Sequence, residues 1–241
     1  MKVEIWSDVL CPWCGLGNHR LDQAVQRFEH GEQIEVVHRS FQLDPSRPSG
    51  TTLTTRQMLA KKYGMNDAQA EAGARQIEAL AEQDGLAPYI VLDNTIGNTG
   101  LAHEFLAYDS TQGKHAEAWR HMFRAYFGQA RPIFDVDALL DLAGELGLDR
   151  DSTRQALQEH RFRQQVEDDA RHAQRLGASG VPFTVVDGRY AISGAQDTGT
   201  LLRLLEQAWD ETHQPVSLTE DATGACGPDG CALSVDHPAR A

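Results

Sequence analysis

The sequence predicts an α/β fold interrupted by an inserted all-helical domain and followed by a C-terminal extension. Three observations carry this expectation. Strand-like segments cluster towards the two ends of the chain, the long block between them has helical periodicity punctuated by cap and stop residues, and the first strand runs into a helix through Cys11-Pro12-Trp13-Cys14. The order is βαβ, many helices, ββα, and an insertion of this kind is tolerated where its ends lie close together at the surface.

Val3 to Trp6 reads as a short buried strand. Leu21, Val25 and Phe28 then recur at helical spacing within Leu16 to His30, with Gly31 as the expected stop, and Ile34 to Phe41 is a β-branched strand ending before Asp44-Pro45. Ser46 to Thr52 is a Pro/Gly/Ser/Thr-rich boundary. Helices are then predicted from Thr54 or Thr55 to Gly64, from Asn66 to Gly85, and from Asn98 or Thr99 through Leu101, Phe105 and Leu106. Further helices run from Lys114 to Phe127, from Asp137 to Gly147, and from Asp151 or Ser152 as one long element towards Leu176 and Gly177. Phe183 to Val186, the turn signal Asp187-Gly188 and Tyr190 to Ser193 form a hairpin, and Asp197 or Thr198 caps a closing helix with Leu201, Leu205 and Trp209. The expected domains are residues 1–45 with 178–212, the insertion 46–177, and an extension over 213–241.

The 241 residues carry 22 Lys and Arg against 35 Asp and Glu, a formal charge of −13. Such a chain repels nucleic-acid phosphates and anionic headgroups, so neither nucleic acid nor a membrane surface is an expected partner. No apolar run approaches the ~20 residues of a membrane span, and Met1 to Trp6 shows no signal-peptide pattern. The expected location is the cytoplasm, where closely spaced cysteines point to redox chemistry or metal binding rather than to structural disulfides.

Disulfide exchange needs a thiolate, and a free cysteine with a pKa of ~8.5 is mostly protonated at neutral pH. Cys11 would stand at the positive end of a helix, whose macrodipole supplies roughly 0.3–1 kcal/mol, under one pKa unit. Hydrogen bonds to the sulfur, from unpaired first-turn N–H groups or from the Cys14 thiol, must supply the rest. Pro12 suits the first helical position because it lacks an N–H. Cys11 is thus the exposed attacking sulfur and Cys14 the resolving one. Trp13 is expected to lie over or beside the sulfurs and exclude water, with simple packing as the alternative. Asp8, three residues before Cys11, is a candidate proton relay to Cys14, or else a strand-ending turn residue.

These residues carry a resemblance. Ile5 to Cys14, Gly180-Val181-Pro182-Phe183 and Ile192-Ser193-Gly194-Ala195-Gln196 resemble the DsbA-like thioredoxin superfamily, its FrnE-type branch most, over roughly residues 1–210. The resemblance implies a thioredoxin-like fold with an inserted helical domain and thiol–disulfide oxidoreductase activity on protein substrates, as isomerase or oxidase. It implies that Cys11 and Cys14 are the redox pair and that Pro182 is a cis-proline. A cis bend there would set the Val181 backbone beside Cys11, where an extended substrate strand could pair with it. Relatives often carry His where this chain has Trp13. The pair Cys226 and Cys231 resembles a second pair of some FrnE-type members.

Cys226 and Cys231 flank the turn-forming Gly-Pro-Asp-Gly. A flexible chain from Trp209 to Cys226 spans roughly 23 Å, enough to reach an active site, so the pair can exchange electrons with Cys11 and Cys14. An incidental turn, or a zinc site that includes His237, are the alternatives. Asn94 and Asn98 read as turn and cap residues, most histidines as surface groups, and Gly15-Leu16-Gly17 as part of a helix rather than a dinucleotide loop. Trp119, Met122, Phe123 and Tyr126 form one apolar stripe, expected as core, with the lining of a substrate groove as the alternative. The cysteines carry the electrons, so no bound cofactor or metal is expected, and glutathione or a thioredoxin-type couple would recycle them. Two rivals share the same residues: a glutathione-dependent isomerase or transferase, and a non-enzymatic zinc-binding module.

Overall fold

The structure is a computed structural model and describes residues 1–213. Strand β1 (Lys2–Ser7) is central. It pairs in parallel with β2 (Glu35–Ser40), through the crossover helix α1 (Pro12–Arg27), and antiparallel with β5 (Phe183–Val186). Strand β6 (Tyr190–Ser193) closes the order β2-β1-β5-β6, and α9 (Thr198–Thr212) follows it. The two-residue period of β1 sorts its side chains by face. Val3 and Ile5 join Leu21 of α1, Phe28 just past its end, and Leu201, Leu205 and Trp209 of α9 in one core. Trp6 points the other way, onto Phe183 and Ala173. Glu4 shares that second face and is held by Arg39 at 2.8 Å. The sheet therefore lies between α1 and α9 on one side and α8 (Arg163–Arg175) on the other.

The insertion packs around a separate core. Its elements are β3 (Leu53–Thr54), α2 (Thr55–Tyr63), α3 (Asp67–Gln83), β4 (Thr95–Ile96), α4 (Gly100–Thr111), α5 (His115–Phe123), α6 (Val136–Glu145) and α7 (Arg150–Gln158), leading into α8. Trp119, Met122, Phe123 and Tyr126 are all buried in it. The caps at Thr54, Asn66 and Asp197 lie at the predicted residues, and the first two form full capping boxes. Asp135 and Asp149 cap α6 and α7, ahead of the predicted starts.

Four expectations change. First, the long helix predicted from Asp151 to Leu176 is two helices. His160 adopts φ +49°, the Arg161 N–H bonds to the Ala156 carbonyl at 3.1 Å and the His160 N–H to Leu157 at 3.2 Å. That is a Schellman stop with histidine where glycine is usual, so a search for glycine passes over it. Second, α1 starts earlier and ends at Arg27, where Phe28 turns extended and packs on Trp209. Gly31 opens a short 3-10 turn and lies so close to the Val25 carbonyl that a Cβ has no room. Third, the helix predicted to Phe127 is α-helical only to Phe123, and Arg124–Gly128 is a π-helical turn. Fourth, β3 and β4 were not foreseen, being only two residues each, and the β5–β6 loop has three residues, with both Asp187 and Gly188 at positive φ.

Candidate active site

Cys11 is the N-cap of α1 (φ −82°, ψ 114°) and Pro12 its first residue. The Cys11 carbonyl accepts the N–H groups of Cys14 and Gly15 at 2.9 and 3.3 Å, which fixes the first turn and brings the two side chains to the same end of the helix. Cys11 is only 6% exposed, not the open sulfur the sequence suggested, and Cys14 is fully enclosed. Both belong to the core of the insertion rather than to the sheet core. The covering residues come from distant segments, which is why spacing alone did not show the burial. Burial raises the Cys14 thiol well above its ordinary value. Its hydrogen bond to Cys11 and the charge Cys11 can carry act in the same direction, and a bond from the Asp8 backbone offsets only part of this. Among the described residues both cysteines are free thiols.

The Val181–Pro182 peptide bond is cis, and the Cys11 thiol donates to the Val181 carbonyl at 3.7 Å. Pro182 lies against α1: a Cβ on Gly17 would meet its Cγ at 3.0 Å. On the far side of the helix, a Cβ on Gly15 would collide with the hydroxyl of Tyr89. Residues 15 and 17 differ by about 200° around a helix, so α1 is clamped between Pro182 and Tyr89, and each contact uses a glycine. The Tyr89 hydroxyl donates to the Pro12 carbonyl at 2.5 Å, and its ring stacks on Phe127 at 4.7 Å. Burial raises the Tyr89 phenol well above its ordinary value, and proximity to Cys11 and Cys14 adds to the shift. Sequence reasoning missed Tyr89. The two glycines in the middle of a helix, where each costs roughly 0.5–1 kcal/mol relative to Ala, were its only local signal.

Trp13 is 38% exposed, so Cys14 is shielded chiefly from the other side, by the core of the insertion. Asp8 is fully enclosed. Its Oδ2 accepts the Leu43 N–H at 2.7 Å, its Oδ1 lies 3.2 Å from His103 Nε2, and its carbonyl accepts the Cys11 N–H at 3.1 Å. His103 is equally enclosed, and His38 and His121 are also buried, three exceptions to the surface position expected of most histidines. His38 and His103 pack on Trp119 of the aromatic stripe: His38 stacks on it at 5.5 Å and is pushed down to about 3, first by burial and then by His115 and Arg120. Asn94 and Asn98 make local turn and cap bonds.

A cleft of about 890 Å³ opens beside Gly15, lined by Tyr89, Trp119 and Phe123 with Arg120 and Arg124 at its edge. Among the described residues no group of three or more His, Cys, Asp or Glu side chains converges as a metal site would require, and no helix is long and apolar enough to cross a membrane. Cys226, Cys231 and His237 lie outside the described residues.

A paired-cysteine turn capping the helix after a central strand, opposed by a cis-proline loop on a four-stranded sheet, defines a thioredoxin-like protein. The model of the DSBA-like thioredoxin domain matches residues 2–206, and the chain belongs to that family, whose members are thiol–disulfide oxidoreductases. The crystal structure of a probable DsbA oxidoreductase from Streptomyces coelicolor is 40% identical, with a TM-score of 0.85, and the match covers 98% of this chain and all of that one. YwbO of Bacillus subtilis, itself uncharacterised, is 28% identical over 196 residues, 81% of this chain and 90% of that protein. The cytosolic disulfide reductase DsbM of Pseudomonas aeruginosa, solved with GSH, shares the fold at 20% identity and a TM-score of 0.57, over 88% of this chain and 97% of that one.

Proposed function

We propose that the protein is a thiol–disulfide oxidoreductase for protein substrates, working as an isomerase or oxidase of the FrnE type, in which Cys11 forms the mixed disulfide and Cys14 resolves it. The observation that carries this reading is the asymmetry of the pair: Cys11 at the mouth of α1 against the Val181 carbonyl, Cys14 enclosed behind it with its thiol held protonated. A Cys11 thiolate attacks a substrate disulfide, and one substrate sulfur leaves with the electron pair. Cys14 then loses its proton and attacks Cys11, the substrate thiolate departs, and the Cys11–Cys14 disulfide remains. In the oxidising direction the same steps run in reverse. An extended substrate strand pairs with the Val181 backbone, and Pro182 presents no donor that would divert the sulfur.

Pro12 and Trp13 tune the first turn, and Asp8 takes part in proton movement to Cys14. Glutathione, present in the DsbM structure, or a thioredoxin-type couple recycles the pair in the cytoplasm. The Cys226/Cys231 pair acts as a second redox pair exchanging with the first. Replacing both with Ser should slow recycling while leaving single-turnover exchange intact. Unchanged insulin reduction, oxidative refolding and isomerase rates in that variant would remove the second pair from the scheme.

The test of the main reading is trapping. Cys14→Ser should accumulate a substrate mixed disulfide on Cys11, and Cys11→Ser should form none and lose exchange. Exchange surviving in Cys11→Ser overturns it. The cleft beside Gly15 supports a second reading, a glutathione-dependent isomerase or transferase, which predicts steady turnover of a glutathione conjugate by Cys14→Ser.

A further inference from the structure

Asp8 and His103 form a pair that neither burial nor packing accounts for. Both side chains are shut off from solvent, and they meet at 3.2 Å across the boundary between the loop before α1 and helix α4 of the insertion. Enclosing two ionisable groups carries a desolvation cost that an apolar pair of similar size would not. One nitrogen of His103, Nδ1, has no hydrogen-bond partner among the described residues despite its burial. Asp8 also reaches both cysteines through its backbone: its carbonyl holds the Cys11 N–H and its peptide N–H faces the Cys14 sulfur.

Resolution requires Cys14 to lose a proton inside this enclosed space. If Asp8 stayed ionised, a Cys14 thiolate would add a second negative charge next to it, which low-dielectric surroundings penalise heavily. If the proton passes to the Asp8–His103 unit, the unit goes from a net charge of −1 to 0 as Cys14 goes from 0 to −1. The enclosed charge is then the same before and after.

Building on the exchange chemistry proposed above, we propose that His103 is a positioning residue that, paired with Asp8, holds the Cys14 proton during resolution. In that step the Cys14 S–H bond breaks and its proton is taken up by the pair. The Cys14–Cys11 bond forms, and the bond from Cys11 to the substrate sulfur breaks with both electrons leaving on the substrate, which is protonated by solvent. When Cys14 is next released as a thiol, the pair returns the proton. The other ionisable groups around the pair are few. Asp169 of α8 feels the charge of His103 and is held at 3.1 Å by Arg39. Tyr126 of the π-helical turn senses Asp8. Trp119 of α5, 5.9 Å from the imidazole, separates it from His38 and His115.

The experiment is stopped-flow reaction of the reduced full chain with an aromatic disulfide that releases a coloured thiolate, such as dithiobis(nitrobenzoate). The first release reports attack by Cys11 and the second reports resolution by Cys14. His103→Gln keeps an N–H for Asp8 but holds no proton. It should leave the first release near wild type, slow the second by about tenfold or more, and move its pH profile upward. Asp8→Asn should act in the same way, and the double variant should be no slower than the slower single one. A second release in His103→Gln that matches wild type in rate and pH profile overturns the proposal. Absence of a second release in wild type would instead overturn the exchange reading itself, so the two failures are distinguishable. Should the variants not fold, NMR titration of the reduced wild type with labelled Cys14 and labelled imidazoles decides. A shared inflection of Cys14 and His103 supports the pair as proton holder, and independent curves overturn it.

Discussion

Helix α1 belongs to two cores. Its N-terminal end, with Cys11, Cys14 and Leu16, is packed into the core of the inserted helices, while Leu21 and Ala24 further along it and Phe28 just past its end belong to the core between the sheet and α9. The two regions treat polar groups differently. On the sheet side Arg39 bridges Glu4 and Asp169 at 2.8 and 3.1 Å, and the Trp6 indole N–H donates to the Asp169 carbonyl at 2.9 Å. Most buried polar atoms without a partner among the described residues lie in the insertion, including His103 Nδ1, Glu104 Oε2 and both carboxylate oxygens of Asp109. The sheet core builds the scaffold, and the core of the insertion sets the surroundings of the sulfurs.

The largest expected effect tests that division directly. Leu16 and Leu21 are both buried on one helix, one in each core. Replacing either by Ala should cost about 2–5 kcal/mol in chemical unfolding. Only Leu16→Ala should also open Cys14 to alkylation under native conditions. Equal alkylation of Cys14 in both variants would erase the distinction between the cores.

The next effect is a pH dependence of the insertion. Burial pushes the Asp109 carboxyl up to about 8, with no hydrogen-bond partner for either oxygen among the described residues. Below about pH 4 the group is protonated in both folded and unfolded chains. From there to about 8 the unfolded chain releases the proton and the folded one keeps it, so stability falls as pH rises through this window and levels off above it. Asp109→Asn should flatten that fall, by an amount on the order of a few kcal/mol. Denaturant titrations at several pH values would check this, and an unchanged slope in the variant would remove Asp109 as its source.

A smaller effect probes the Tyr89 side of α1. Gly15→Ala gains roughly 1 kcal/mol of helix propensity but drives a methyl group into the Tyr89 hydroxyl and disturbs its bond to Pro12. Overpacking of this kind costs about 1–3 kcal/mol. The net should be a modest loss that Tyr89→Phe largely restores in the double variant, because the colliding oxygen is gone. A double variant no better than Gly15→Ala would show that the conflict lies elsewhere.

The contrast between the cores also explains what the sequence revealed. The sheet side was legible because its signals are local: the short apolar run of β1, the Asp187-Gly188 turn, the Asp197 cap, and a cysteine pair opening a helix. The α/β order with its helical interruption followed from the elements, and the resemblance carried by the motifs implied the thioredoxin-like fold, which the family match bears out. The surroundings of the cysteines were not legible. Tyr89 and His103 lie 75 and 89 residues beyond Cys14 in the chain, at positions where a tyrosine or a histidine on a helical block looks like any other. The break at His160 was missed because a histidine occupies a conformation usually given to glycine.

The smallest effect belongs to Gly17, and it sharpens the comparison because its surroundings are the opposite of those of Gly15. Its added methyl group would meet Pro182 Cγ at 3.0 Å, a tight but marginal contact with the edge of a ring rather than a head-on collision with a hydroxyl. The helix-propensity gain of about 1 kcal/mol from Gly to Ala is similar in size to the cost of relieving such a contact. Gly17→Ala should therefore leave unfolding stability within about 1 kcal/mol of wild type. Its effect should appear instead in substrate handling, since any shift of Pro182 moves the Val181 carbonyl that faces Cys11. Reaction with a small aromatic disulfide should be nearly unchanged, while exchange with an extended peptide disulfide should slow. If the two substrates slow together, the contact acts on the helix and its sulfurs rather than on the strand-pairing edge.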